Sequence, residues 1–166
     1  GLAAVATGAG FLWNNEMDNF SVRPGIPNQY GMLGAEANSV QPGKRPLSSM
    51  TPTIVRRFGD FYMTMGSPGG PTIINTVLQI YLNVTVWGMD IQQAIDAPRV
   101  HHQWLPDEIR IEQGISPDTI RLLQERGHTV VGGSAMGAIQ SILIDEEGVL
   151  NGGADPRRST SSAMGY

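Results

Sequence analysis

The sequence predicts an α+β fold, with residues 1–166 forming a single domain. Three observations predict it. Strand-like segments come first, helical segments follow, and strand-like segments return near the end, an order that favours layered sheet and helix. Two pairs of strand-like segments are joined by hairpin signals. Two helical segments carry residues that start and stop helices.

Ala9–Trp13 is short and apolar and reads as a buried strand. Ser21–Pro46 is rich in Pro, Gly, Asn and Ser without sustained periodicity, so it reads as a long ordered loop of the kind that carries function. Thr53–Arg57 and Phe61–Met65 read as strands joined around Gly59-Asp60. Gly66-Ser67-Pro68-Gly69-Gly70-Pro71 must turn sharply. Beyond it Ile73, Ile74, Val77, Leu78, Tyr81 and Leu82 recur at helical spacing. Asp90–Ala97 reads as a second helix, capped by Asp90 and stopped by Pro98. Glu108–Glu112 alternates as a strand does. Ser116–Arg126 is a helix by its chemistry: Ser116 caps, Pro117 takes the first position, and Gly127 follows the end. His128 begins another strand. Ala138–Ile144 and Val149–Ala154 flank Asp145-Glu146-Glu147-Gly148 as a second hairpin.

Composition narrows the function classes. A chain of 166 residues with 40% hydrophobic content can bury a real core. Its formal net charge of -4 leaves no electrostatic footprint for nucleic acid. No apolar run is long enough to span a bilayer. The start, Gly1 to Thr7, lacks the basic residues and apolar core of a leader and lacks an initiator Met, which suggests a processed chain or a fragment. With 0 cysteines, disulfides, thiolate metal sites and a Cys nucleophile are excluded. The 21 Gly and 11 Pro are dispersed and read as tight turns.

Several groups of residues bear chemistry, each with a plain structural alternative. Gly69-Gly70 lies between a strand and a helix. There, glycine N–H groups and the helix start can form an oxyanion hole, or merely a tight corner. Ser48-Ser49, after Lys44-Arg45, can bind a carboxylate or satisfy turn backbone. Asn14-Asn15-Glu16-Met17-Asp18-Asn19 can line a cavity in which Glu16 or Asp18 meets an ammonium, or form a solvated turn. His101-His102 fit no standard zinc spacing and read as packed or hydrogen-bonded histidines, as does His128. Asp155-Pro156-Arg157-Arg158 reads as a charged turn that pins the tail by an ion pair. Asn83-Val84-Thr85 has a glycosylation pattern but lies in a predicted helix.

Taken in order, these blocks resemble the small subunit of the gamma-glutamyltranspeptidases. The resemblance runs through Trp13 to Phe20, Lys44-Arg45-Pro46-Leu47-Ser48-Ser49-Met50 and Gly66-Ser67-Pro68-Gly69-Gly70. It continues through Ala97 to Asp107, Ala154-Asp155-Pro156-Arg157 and the terminal Gly165-Tyr166. It implies part of the four-layer αββα fold of N-terminal-nucleophile hydrolases. It also implies a precursor cut into large and small subunits, with a new N-terminal Thr that attacks a gamma-glutamyl amide such as glutathione. Water, an amino acid or a peptide resolves the acyl-enzyme, with no cofactor and no metal. The large subunit is the implied partner, and a periplasmic or extracellular location follows if the source is bacterial and typical of the family, with the cytoplasm left open.

Residue by residue, the resemblance places Gly69 and Gly70 in the oxyanion hole, Ser48 at the donor's alpha-carboxylate with Ser49 beside it, and Glu16 at the alpha-amino group. Asn19 falls where the family usually has an Asp. The chain begins downstream of the expected nucleophile, and Thr7 does not match its context. Two alternatives follow: an acylase for glutaryl-type side chains, of the cephalosporin-acylase kind, and a noncatalytic binding module that lost the nucleophile.

Overall fold

The computed structural model describes residues 4–165. Gly1 to Ala3, at the start of the segment read for a leader, and Tyr166 of the terminal pair lie outside the described residues. Contacts gather the chain into two compact units, Gly1–Ser49 and Met50–Tyr166.

The first unit is held by loops and turns. Among its described residues the regular elements are two 3₁₀ helices, Glu16–Asn19 and Glu36–Asn38. The buried strand expected at Ala9–Trp13 is not formed. The chain doubles back on itself, with Ala6 N donating to Phe11 O and Trp13 N donating to Ala4 O, each at 2.9 Å. Among the described residues of this ribbon only Val5 and Leu12 bridge, and Phe11, Leu12 and Trp13 stay 54%, 68% and 51% exposed. A lone ribbon has no sheet face against which to bury its apolar side chains. The stretch 21–46 is an ordered loop, as expected. Single bridges at Ser21–Ser39 and Pro27–Leu33 pin it, and the Asn38 side chain donates to Asn19 O at 2.8 Å.

The second unit is α+β. Strands β1 (Thr53–Arg57) and β2 (Asp60–Gly66) form the expected hairpin, with its turn at Phe58-Gly59 because Asp60 already pairs with Arg57. Helices α1 (Thr72–Thr85) and α2 (Ile91–Asp96) follow. Next come β3 (Val100–His101), β4 (Ile109–Ile111), helix α3 (Pro117–Glu125) and β5 (Val130–Gly132). The hairpin of β6 (Gln140–Ile144) and β7 (Leu150–Ala154) ends the order. One sheet runs β1-β2-β6-β7, antiparallel throughout. The other runs β3-β4-β5, with β4 and β5 parallel because α3 carries the chain back between them.

Both capped helices follow their sequence signals. Asp90 accepts from Gln93 N at 2.8 Å, and Ser116 accepts from Thr119 N at 3.2 Å ahead of Pro117. Helix α1 buries Ile73, Val77, Ile80 and Val84 against Met63 and Met65 of β2 and Ile139. Ile74 and Leu78, expected on the same stripe, are exposed. Helix α2 adds Ile91, Ala94 and Ile95 to this core. It lies so close to β7 that a Cβ on Gly153 would sit 2.4 Å from Ile95 Cδ1. No helix among the described residues is long and apolar enough to cross a membrane.

Candidate active site

In the first unit, a 3₁₀ helix sets the geometry. Three residues per turn eclipse positions i and i+3, so Glu16 and Asn19 meet on one face. The Asn19 amide Nδ2 donates to Glu16 Oε2 at 2.7 Å, and Ser49 Oγ donates to Glu16 Oε1 at 3.1 Å. Both carboxylate oxygens are thereby engaged while Glu16 remains partly exposed. Three of the six residues singled out from sequence, 33 positions apart at the extremes, thus form one polar cluster. Ser48 adjoins it in sequence and is exposed. Asp18 points elsewhere, accepting from Gln29 Nε2 at 2.6 Å.

In the second unit, β2 ends at Gly66 and α1 begins at Thr72. The turn between them places Gly69 at φ +144° and Gly70 at φ +58°, conformations that side chains rarely adopt. Its carbonyls are committed: Thr72 Oγ1 donates to Gly69 O at 2.9 Å, and Ile73 N donates to Gly70 O at 3.3 Å. Its glycine donors are not. Among the described residues, neither Gly69 N nor Gly70 N has an acceptor. Two adjacent N–H groups without an acceptor, just before a 14-residue helix, suit a negative oxygen.

Beneath this turn lies a group of charges that local sequence did not reveal. Arg99 and Asp155 are 1% and 0% exposed and pair at 2.7 Å. Arg157 grips Glu112 with two bonds, Nη2 to Oε2 at 2.5 Å and Nε to Oε1 at 2.8 Å. It also reaches Asp155 Oδ1 at 3.3 Å. The expected pinning of the tail at Asp155–Arg158 is therefore present, but its partners come from 56 and 45 residues away.

Burial alone would raise the Glu112 carboxyl. The Arg157 hydrogen bond and the Met136 and Arg99 backbone N–H groups outweigh it and hold the carboxyl below its ordinary value. Burial opposes ionisation of Asp155 too, and is overcome first by Arg157 N–H and then by the Arg99 side chain. Desolvation lowers Arg99 from its usual value.

His101 and His102 behave as the sequence suggests. His101 is buried and meets Gln103 Oε1 at 3.0 Å, and His102 meets Asp107 at 3.1 Å. His128 departs from the expectation: it is exposed, and its backbone N–H, donating to Leu123 O at 3.1 Å, makes its bond. The Asn83-Val84-Thr85 pattern lies within α1, with Val84 buried.

The second unit has a two-sheet α+β architecture with an anion-suited turn between strand and helix. The chain matches solved enzymes of the N-terminal-nucleophile hydrolase class over nearly its whole length. An acivicin-inhibited gamma-glutamyltranspeptidase matches with a TM-score of 0.88 and 48% identity, over 96% of this chain and 87% of that one. The enzyme from Pseudomonas nitroreducens matches at 0.87 and 38%, over 100% and 88%. The chain matches the gamma-glutamyltranspeptidase family over residues 1–165 and belongs to it. It is 51% identical over 166 residues to a glutathione hydrolase proenzyme of Escherichia coli (strain K12), covering 100% of this chain and 29% of that protein. The chain therefore spans less than a third of that relative's length.

Proposed function

We propose that this chain is the substrate-binding and oxyanion-hole portion of an enzyme that cleaves gamma-glutamyl amides such as glutathione. The observation that carries this reading is the pair of uncommitted N–H groups at Gly69 and Gly70. In the proposed reaction, a Thr hydroxyl supplied from outside residues 1–166 attacks the gamma-carbonyl. The carbonyl oxygen becomes an oxyanion that Gly69 N–H and Gly70 N–H stabilise. Collapse of the tetrahedral intermediate breaks the C–N bond. The amine leaves with a proton, and the acyl group remains as an ester on Thr. Water, an amino acid or a peptide then takes the acyl group. Glu16 and Asn19 receive the donor's alpha-ammonium, Ser48 its alpha-carboxylate, and Ser49 fixes Glu16.

Residues 1–166 act together as a small-subunit-like portion, with a large subunit as partner, in an exported compartment. The bond between Asn19 and Glu16 favours gamma-glutamyl over glutaryl donors. A carboxylate accepts and cannot donate, so the Asn19 amide turns its NH₂ to Glu16 and leaves Oδ1 for an ammonium. The test is turnover of a chromogenic gamma-glutamyl anilide by the complete protein and by residues 1–166 alone. Activity only in the complete protein supports the reading. Turnover by 1–166 alone would refute the assignment of the nucleophile outside them, and an inert complete protein would favour the binding-module alternative.

A further inference from the structure

We propose that the segment 136–139 is a positioning element for the Gly69-Gly70 turn, acting through Gly137 and Ser67; this rests on the oxyanion role proposed for that turn. The segment lies just before β6 and is fastened by side chains more than by strand pairing. Met136 N donates to Glu112 Oε1 at 2.6 Å, and Met136 O accepts from Arg99 Nη1 at 2.6 Å. Ile139 N donates to Asp155 Oδ2 at 2.8 Å. Three members of the buried charge group thus hold this short stretch at both ends. Guanidinium forks and carboxylates offer few alternative geometries, so the stretch has a defined place.

From there, placement passes to the turn by two routes. The first is close approach of backbone to backbone. A Cβ added to Gly69 would lie 2.7 Å from Thr72 Oγ1, 3.1 Å from Gly137 Cα and 3.3 Å from Gly137 N, so Gly69 lies too near Gly137 to admit a side chain of its own. Gly137 itself is at φ +70°, where a Cβ would come within 2.8 Å of both Ser67 Oγ and Thr76 Oγ1. The second route is one hydroxyl. Ser67, 1% exposed, accepts from Ala138 N at 2.9 Å and donates to Pro68 O at 2.7 Å. It ties the segment to the residue just before Gly69. Oxyanion donors work only within about 0.4 Å of distance tolerance, 2.7–3.1 Å from the oxyanion. A misplacement of about 1 Å can cost about a hundredfold in rate. A support that shifts the turn therefore acts on the transition state and leaves ground-state binding of the donor alone.

The test uses the complete protein. Ser67→Ala removes the hydroxyl bridge without touching a charge, and Gly137→Ala presses a methyl group toward Ser67 and Thr76. For each, kcat is measured on a gamma-glutamyl anilide. Ki is measured for free glutamate, which occupies the donor pocket without developing an oxyanion. A melt establishes the folded fraction. The expected result is a kcat lowered by about tenfold to a hundredfold with glutamate Ki within about twofold of the parent. If Gly137→Ala does not fold, Ser67→Ala decides. Folded variants with parental kcat overturn the proposal. So do variants whose kcat loss merely tracks a lost folded fraction. Gly70→Val, run alongside, separates the two levels. If it too keeps full kcat, the oxyanion reading itself has failed. If it alone loses kcat, only the positioning role has.

Discussion

Asn19 Nδ2 donates to Glu16 Oε2 at 2.7 Å, so the two side chains form one hydrogen-bonded unit with one carboxylate between them. The pairing decides what substitution should do. Asn19→Asp alone sets two carboxylates within hydrogen-bond reach, where one must take up a proton or swing away. We expect it to raise KM for a gamma-glutamyl anilide by about tenfold, in the range for a hydrogen bond to a charged group. Adding Glu16→Gln restores the bond with its direction reversed, and KM should return toward the parent. A double-mutant cycle reads the coupling, expected at roughly 1–3 kcal/mol. Purely additive effects would mean that the pair does not bind the ammonium as a unit.

Glu16→Gln alone should blunt substrate choice. It removes the only charge in the pair while Asn19 Oδ1 can still accept. The ratio of kcat/KM for gamma-glutamyl over glutaryl anilides should fall by about tenfold. An unchanged ratio would place ammonium recognition elsewhere.

Gly70→Val tests the turn. Gly70 has φ +58°, which a β-branched residue tolerates poorly, so its N–H must rotate away. Loss of one oxyanion donor lowers kcat by about 10²–10³. Steady-state kinetics on variant protein with a parental melt would check this. Unchanged kcat would leave the turn as a corner only.

What could be read from sequence was what local chemistry determines. Asp90 and Ser116 announce their helices because a cap needs only its next three residues. The Gly-rich turn is legible for the same reason. The Glu16–Asn19 contact was not, because its partners meet only when residues 16–19 take three residues per turn. The charge group was less legible still, since Arg99 finds Asp155 across 56 positions and no spacing rule joins them. Ala9–Trp13 misled because apolar content signals a wish for burial without saying that a neighbouring strand exists.

Breaking the buried group should unfold more than it disarms. Asp155→Asn leaves Arg99 buried with a weakened partner, and removing one member of a buried pair costs about 3–5 kcal/mol. A chemical-denaturation midpoint on the complete protein would register it. Replacing Arg99 and Asp155 together by apolar residues of similar volume should cost less than either single change. If the double change is the worst of the three, the backbone groups that the pair also holds, Met136 O and Ile139 N, outweigh its mutual neutralisation.

Acid should weaken the molecule in a defined window. Glu112 and Asp155 are both held below their ordinary values in the folded chain. In that window the unfolded chain binds more protons, so stability rises with pH there. The contribution is complete above the unfolded values of about 4 and is lost as pH falls through the lower folded values. Arg99 and Arg157 stay charged throughout and add no slope of their own. Asp145 is lowered as well, chiefly by its bond from Asn151, but it lies in an exposed turn where solvent and salt screen it. The melting temperature should therefore be flat from about pH 7 to pH 5 and fall steeply below about pH 4. Glu112→Gln should start from a lower plateau and fall less steeply, since one titrating group is gone. Asp145→Asn should keep most of the slope. If Glu112→Gln leaves the acid limb unchanged while Asp145→Asn flattens it, the acid sensitivity belongs to the surface turn, and the buried carboxylates do not govern it.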